Sequence, residues 1–392
     1  MNNTQKGLLQ LIRCGITGQA EQLPEGFELE SIRELAAAHQ LVGLVYEGCV
    51  VCGMDKTDPQ MRAVFQKYYG LTLRHERQMA ALNRLFAAFE QEGIDYLPMK
   101  GVILKQMYPA PAARVMGDAD VLIRQEQYDR IRPIMQQLGY EEEPEYYHEL
   151  PWKSKDLYVE LHRSVVPSYH AVEYAYFEHV WDRAVHKQGH CYAMSPEDEY
   201  LFNFEHYAKH YRGGGIGIRQ LIDLWLCAKQ PQQPDGEKLR QGLEKLNMLQ
   251  FYDYTCQLLK VWFEDAQSDE RTDFMTDYIY ASGSWGQIEN RLTAKSMMDA
   301  KRDGSVRQLR SRKIRQMIFP PLDMMKSRYP VLEKAPVLLP VMWPVRWVTA
   351  ALFRHKNVES YNKMLGYADA KQISSFEESL RYVGLEYQVE QE

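Results

Sequence analysis

Asp118 and Asp120 stand two apart in an apolar run, Val115-Met116-Gly117-Asp118-Ala119-Asp120-Val121-Leu122-Ile123. Side chains of a strand alternate between faces, so the two carboxylates point one way while Ala119 and Val121 point the other. Like charges held that close are costly unless a cation sits between them or one is protonated. A divalent ion removes the cost, and Mg²⁺ characteristically takes one or two protein carboxylates together with substrate phosphates. A second run, Leu157-Tyr158-Val159-Glu160-Leu161-His162, has the same grammar. Leu157, Val159 and Leu161 form its apolar face, which leaves Tyr158, Glu160 and His162 on the opposite one.

If the two strands are neighbours, Glu160 joins the aspartates. Three carboxylates on adjacent strands are what two-metal phosphoryl or nucleotidyl transfer needs, where Mg²⁺ or Mn²⁺ neutralises phosphate charge and activates the acceptor hydroxyl. An Asp-x-Asp alone also occurs on solvent-facing edge strands without any such role. Context favours chemistry here. Lys100-Gly101 closes the preceding apolar segment where a helix begins, so its backbone N–H groups suit phosphate oxygens. Lys100 and Arg114 add cations on either side of the loop. His162 suits proton transfer or substrate orientation, and equally a buried hydrogen bond within the sheet.

His206 and His210 are four apart and share a helical face. The residues between them are Tyr207, Ala208 and Lys209, not the Glu of a zinc-protease helix. The preferred reading places His210 in the cleft with Arg219, whose guanidinium can hold a phosphate bidentately. Asp223, four residues after Arg219, suits a pair with it on the same helix. Cys49 and Cys52 lack the second ligand pair that a zinc site requires and read as small helix residues.

The elements that must position these groups follow from periodicity and breakers. Up to about residue 75 apolar residues recur every three to four positions, and Met79, Leu82, Phe86 and Phe89 make a stronger helical stripe that stops at Gly93. Ile94–Met99 reads as a buried strand, Val102–Tyr108 as a short helix stopped by Pro109, and Asp118–Ile123 as a second strand. Gln125–Leu138 reads as an amphipathic helix ended by Gly139. The acidic, aromatic stretch Tyr140–Tyr147 leads to a third strand over Leu157–Val165. From Pro196 onward the period is helical, over Tyr200–Tyr211, Ile218–Ala228, Glu237–Leu249 and Tyr252–Phe263. The breaks between them fall at Gly213-Gly214-Gly215 and between Pro231 and Pro234, as in a bundle. Trp343, Trp347 and Phe353 read as core or interface.

Met99-Lys100-Gly101, the Tyr108-Pro109 turn, Arg114 through Ile123, and Glu160-Leu161-His162 together resemble the uncharacterised nucleotidyltransferase family of the DNA-polymerase-beta-type superfamily. His206-Tyr207-Ala208-Lys209-His210, Arg219 with Asp223, Gly283-Ser284-Trp285-Gly286, and Phe319-Pro320 followed by Tyr329-Pro330 are similar to its helical C-terminal region. The resemblance spans most of residues 76 to 350. It implies an α+β fold in which a small mixed β-sheet core is flanked by helices. The expected organisation is a helical N-terminal region over 1–75, the nucleotidyltransferase-like core over 76–190 and a helical C-terminal domain over 191–392. It also implies Asp118 and Asp120 as ligands of both metals and Glu160 on the metal that activates the attacking hydroxyl. A nucleoside monophosphate would then pass from an NTP such as ATP to an acceptor. Lys100, Gly101, Arg114, Gly117, His162, His210 and Arg219 become the nucleotide-binding candidates. The chain departs from the superfamily at the phosphate loop, where Lys100-Gly101 replaces the usual Gly-Ser or Gly-Gly and the spacing from Gly101 to Asp118 is long.

Composition sets the outer limits. The 392 residues are 45% hydrophobic and 26% charged, which suits a folded protein with real cores and excludes disorder. Acids outnumber bases 53 to 47, so a globally basic nucleic-acid binder is excluded. The net charge of −6 conceals a run over residues 295–315 with eight Lys or Arg against two Asp, locally +6, and −12 elsewhere. That run can grip an anionic acceptor but lacks the aromatics that stack on bases. Nucleic acid therefore ranks behind a small molecule and a protein side chain as acceptor. Met1–Ala20 lacks the apolar core of a secretory signal, and Val337–Phe353 carries Pro340, Pro344 and Arg346, so a cytoplasmic protein without membrane contact is expected. The rival to an enzyme is a nucleotide- or partner-binding protein that keeps the fold without the chemistry. A small-molecule kinase would share the acidic site but transfer the terminal phosphate.

Overall fold

The computed structural model describes residues 1–145, 148–284, 286–302, 304–326, 329–353 and 369–386. Tyr147, Trp285 and the side chain of Phe353 lie outside the described residues. The strands are β1 (Tyr96–Pro98), β2 (Ala119–Ile123), β3 (Glu141–Glu142), β4 (Glu149–Lys153), β5 (Tyr158–His162), β6 (Val185–Gln188) and β7 (Cys191–Ala193). They form one mixed sheet in the order β3-β4-β5-β2-β1-β7-β6. The expected α+β fold is thus observed. β2 lies at its centre, antiparallel to β1 and parallel to β5, with Asp120 directly opposite Glu160.

Helices α1 (Asn3–Thr17), α2 (Leu29–Ala38), α3 (Val42–Val51) and α4 (Pro59–Glu92) precede the sheet. α5 (Gly101–Leu104), α6 (Ile131–Gln137), α7 (Ala171–Phe177) and α8 (Val180–Arg183) lie between its strands. After it come α9 (Pro196–Arg212), α10 (Ile218–Ala228), α11 (Gly236–Lys245), α12 (Leu249–Phe263) and α13 (Glu270–Ser282). α14 (Ile288–Arg302), α15 (Val306–Ile318), α16 (Leu322–Lys326), α17 (Val331–Lys334), α18 (Leu339–Phe353) and α19 (Ala370–Tyr382) follow. No helix of the described residues is long and apolar enough to cross a membrane.

The alternation read from the sequence divides the sheet into two faces. Ala119, Val121, Ile123, Val159 and Leu161 pack with Leu82, Leu85 and Phe89 of α4 and Ile131, Ile134 and Met135 of α6. The opposite face, bearing Asp118, Asp120, Glu160 and His162, looks toward the helical mass. There Leu97, Met99 and Leu122 share one core with α1–α3 and α9–α13. α4 belongs to both cores: Met61 and Val64 sit in the helical one, Leu82 and Phe89 in the sheet one. Its start is fixed by Asp58, which accepts from the N–H groups of Gln60 and Met61, and its end by Gly93 at φ +65°.

Some expected elements are shorter. The helix expected over Gln125–Leu138 opens as a 3₁₀ stretch, Gln125–Arg130, before α6 begins. Pro133 lacks the N–H that would bond back to residue 129, so the first turn cannot close as α. The strand expected over Leu157–Val165 ends at His162, and that over Ile94–Met99 narrows to Tyr96–Pro98. β4 has no counterpart in the sequence reading: Pro151 sits inside it, opposite Glu160, and argues locally against a strand.

α1 and α3 cross at contact distance through glycines. A Cβ on Gly48 would lie 2.0 Å from the Leu11 carbonyl oxygen, so Gly48→Ala must separate the helices. We expect it to cost about 1–3 kcal/mol, read as a lower urea midpoint. His39, fully buried, ties the end of α2 to two other segments. Its Nε2 faces the Tyr280 carbonyl at 3.2 Å and its Nδ1 accepts from the Ile218 N–H at 3.3 Å. That fixes the neutral Nε2–H tautomer, and burial lowers its pKa to about 4 despite the Tyr280 carbonyl. Below about pH 6.5 the unfolded chain takes up a proton that the folded one refuses, so this contribution holds above pH 6.5 and fades toward pH 4. We expect His39→Gln to flatten the pH dependence of stability across that window by up to about 3 kcal/mol, measured by urea unfolding at pH 7.5, 6 and 5.

Candidate active site

The site is built where β1 ends. Met99 donates to the Asp120 carbonyl at 3.0 Å, and Lys100 then turns the chain into α5 with φ +45° and ψ −120°. This conformation normally calls for glycine. It explains the departure from Gly-Ser at the loop: the backbone keeps the glycine shape while the side chain supplies a cation. Lys100 Nζ donates to Asp120 Oδ1 at 2.7 Å. The next residue must be small, because a Cβ on Gly101 would sit 2.9 Å from Met116 Cγ and 3.2 Å from Arg114 Nη1.

Asp120 is held twice. Besides Lys100, His162 Nε2 lies 2.9 Å from the same Oδ1, so Oδ2 has no hydrogen bond among the described residues. Burial opposes ionisation of Asp120, but the Lys100 charge and the His162 bond outweigh it, and its pKa falls well below the usual carboxylate range. Its neighbours go the other way. Burial and then Asp120 raise Asp118, and burial, Asp120, Asp118 and Glu149 push Glu160 up to about 8. One ligand atom each from Asp120, Glu160 and His162 lies within 4.8 Å of the others, while Asp118 faces the adjoining cavity beside Asp120. An oxygen-rich set in which like charges resist ionisation fits a hard divalent cation, whose charge would restore both carboxylates.

The cavity has a volume of about 550 Å³ and is lined by Asp118, Asp120, Gly117, Lys100, Gly101 and Arg114 from the sheet side, and by His206, His210, Arg219 and Asp223 from α9 and α10. A Cβ on Gly117 would meet nothing within 4 Å, so no steric contact demands glycine there. His210 and Arg219 line the same cavity as Asp118 and Asp120. His206 and His210 stack edge to face at 4.5 Å. Five cations line this space, Arg74, Lys100, Arg114, Arg219 and Arg291, against three acids, Asp118, Asp120 and Asp223. With Asp120 matched by Lys100, the remaining field favours a polyanion.

Three expected contacts are corrected. Asp223 does not pair with Arg219. It takes both Arg114 Nε at 2.7 Å and Nη2 at 2.8 Å, together with the Tyr108 hydroxyl at 2.7 Å. A planar two-point match to a buried guanidinium outcompetes the pairing suggested by sequence spacing. Arg114 is therefore not an open counter-charge for phosphates: only Nη1, beside Gly101, is left outside the pair. His162 is not among the cavity-lining residues; it lies buried behind Asp120. Arg219 Nη1 instead donates to Gln40 Oε1 at 2.6 Å and the Val115 carbonyl at 3.1 Å, and its Nε is buried without a partner.

Sequence reasoning missed Gln40, Arg74, Asn203, Ser284 and Arg291 at this cavity. Arg291 arrives because Gly214 and Gly215, at φ +113° and +122°, let the chain touch the 282–291 segment; a Cβ on Gly215 would lie 2.1 Å from Ser282 Oγ. The glycine triplet was visible as a break, but not what it would touch. Much of the basic run over 295–315 is paired within the α14–α15 hairpin and with α19: Lys301 with Glu377, Arg302 and Arg312 with Asp299, and Lys313 with Ser296. Cys52 Sγ approaches Cys14 Sγ at 3.5 Å. Trp343 and Trp347 pack edge to face on Phe319.

The solution structure of the antibiotic-resistance factor ANT(2'')-Ia matches 48% of this chain and 97% of its own at 10% identity and a TM-score of 0.31. No curated protein matches the sequence. The sequence model described as "Uncharacterised nucleotidyltransferase" matches residues 25–264, more than half of the chain and all of the segments that build the carboxylate site. The chain therefore belongs to the uncharacterised nucleotidyltransferase family.

Proposed function

We propose that the protein is a metal-dependent nucleotidyltransferase that moves a nucleoside monophosphate from an NTP to an acceptor hydroxyl. The observation that carries this reading is the register of β2 against β5, which sets Glu160 opposite Asp120, itself one of the residues lining a cationic cavity. Asp118, Asp120 and Glu160 are the residues to hold Mg²⁺ or Mn²⁺, which when bound neutralises phosphate charge and favours the ionised form of the acceptor hydroxyl. Lys100, anchored on Asp120, Arg74, Arg219 and Arg291 supply positive charge for the triphosphate. His162 keeps Asp120 oriented by donating from Nε2. The acceptor hydroxyl gives its proton to solvent, its oxygen bonds to the α-phosphorus, the bond from that phosphorus to the α,β-bridging oxygen breaks, and pyrophosphate leaves with the electron pair. The pairing within the basic hairpin supports a small molecule or a protein side chain as acceptor over RNA.

The test is to incubate the protein with Mg²⁺, a panel of acceptors, and ATP labelled at either the α- or the γ-phosphate. We expect the α-label on the acceptor, the γ-label in pyrophosphate, and neither after chelation. Transfer of the γ-label would indicate a kinase. NTP binding that is indifferent to Mg²⁺, with no turnover, would indicate a protein that only binds nucleotide.

A further inference from the structure

Behind the carboxylates lies a second group of ligating atoms that the proposed reaction leaves unused. Glu149 on β4 is the cross-strand partner of His162 on β5, and His148 immediately precedes it. One ligand atom each from His148, Glu149 and His162 lies within 4.8 Å of the others. His162 Nδ1 is 4.0 Å from Glu149 Oε1, and His148 Nε2 is 3.7 Å from the same oxygen. Both separations are too long for hydrogen bonds.

The hydrogen bonding of His162 decides what its inner nitrogen can do. Asp120 is an ionised carboxylate that only accepts, so Nε2 carries the hydrogen, and in the neutral ring Nδ1 presents a lone pair. His162 is 1% exposed, and this Nδ1 is buried with no partner. It faces the Glu149 carboxylate, another acceptor. Two acceptors aimed at one another across a buried gap call for a cation. His148 adds a third donor: neither of its nitrogens makes a hydrogen bond among the described residues, and its Nδ1 is also buried without a partner.

We propose that His148, Glu149 and His162 form a second metal site, for a borderline divalent cation of the Zn²⁺ class, separate from the carboxylate site. Two imidazoles and one carboxylate select such ions over Mg²⁺, and three protein ligands leave a fourth position open. A tetrahedral ion with bonds of about 2.1 Å holds its ligand atoms about 3.4 Å apart, so the group closes by small side-chain rotations. The arrangement also has the outer partner that metal-bound histidines characteristically keep, since Asp120 accepts the other ring N–H of His162. An ion on Nδ1 would thereby lock the tautomer that steadies Asp120.

Titrating the metal-free full-length protein with Co²⁺ in the presence of excess Mg²⁺ tests this. We expect one Co²⁺ per chain with the intense visible absorption of a four- or five-coordinate site, displaced by Zn²⁺. His148→Ala and the isosteric Glu149→Gln should each weaken Co²⁺ binding by roughly tenfold or more, whereas Asp118→Ala should leave it unchanged. Circular dichroism checks the fold, and Glu149→Gln decides if His148→Ala does not fold. The proposal is overturned if the wild-type chain takes up no Co²⁺, if binding survives in Glu149→Gln, or if Asp118→Ala abolishes it. Because the readout is binding, it stands or falls separately from nucleotidyl transfer.

Discussion

Asp118→Ala is expected to lower nucleotidyl transfer by roughly 10³-fold while leaving the melting temperature unchanged or higher. Asp118 lies at the cavity beside Asp120 and, among the described residues, its side chain makes no hydrogen bond to another residue, so its removal leaves no other residue's polar group unsatisfied. Its pKa is raised by burial and by Asp120, and a carboxyl raised in the folded state opposes folding once it ionises. Its loss also relieves Glu160 of one of its repelling neighbours. Mg²⁺ should raise the melting temperature of the wild-type protein and do so much less in the variant. Asp118 is the cleaner probe of the two aspartates: Asp120→Ala would also strand the Lys100 ammonium and the His162 N–H. Unaltered turnover in a folded Asp118→Ala protein would remove this carboxylate from the proposed mechanism.

The second large effect is structural. Asp223→Ala should destabilise the protein by about 3–5 kcal/mol, because it leaves the Arg114 guanidinium buried without its counter-charge and the Tyr108 hydroxyl without its acceptor. Arg114 and Asp223 are 6% and 4% exposed, so water cannot take over. The pair joins the loop before β2 to α10, so activity should fall along with stability as Asp118 loses its support. Asp223→Asn keeps an acceptor for Tyr108 and should fall between wild type and Asp223→Ala. Urea unfolding followed by tryptophan fluorescence gives the order; an Asp223→Ala midpoint equal to wild type would show that Arg114 finds another partner.

What could be read in the sequence divides along a physical line. The faces of β2 and β5 were legible because a two-residue period is local and leaves apolar residues on one side. Lys100-Gly101 was legible as a turn into a helix, but not as a non-glycine residue in a glycine conformation, which depends on the ion pair to Asp120 twenty residues away. The helices after residue 196 were legible from their stripes. Arg74, Gln40 and Arg291 were not, since each reaches the cavity through the packing of distant helices and sits in no local pattern, and Ser284 stood in a motif without any sign that it reaches the cavity. The pairing of Arg219 with Asp223 failed for the same reason: local spacing offers a surface-type pair worth a few tenths of a kcal/mol, and a buried tertiary partner displaced it. β4 was hidden by Pro151, and with it the juxtaposition of His148 and Glu149 with His162.

The core that joins α1–α3 to α9–α13 has a consequence for the order in which the chain can be made. Gln5 accepts from the Tyr280 hydroxyl, Arg13 pairs with Asp265, and the Ala38 carbonyl accepts from the Ser284 N–H. During vectorial synthesis Leu8, Leu11 and Ile32 leave the ribosome more than two hundred residues before Ile279 and Tyr280, with which they share a core. At about 5–20 residues per second, α1–α3 can pack on one another at once, but the face they share with α9–α13 waits some ten seconds or longer for its cover. The sheet and its α4–α6 backing, whose contacts are local by comparison, can condense meanwhile. The carboxylate face would then acquire its cationic wall last, and the early helices would be natural clients for a chaperone until it does.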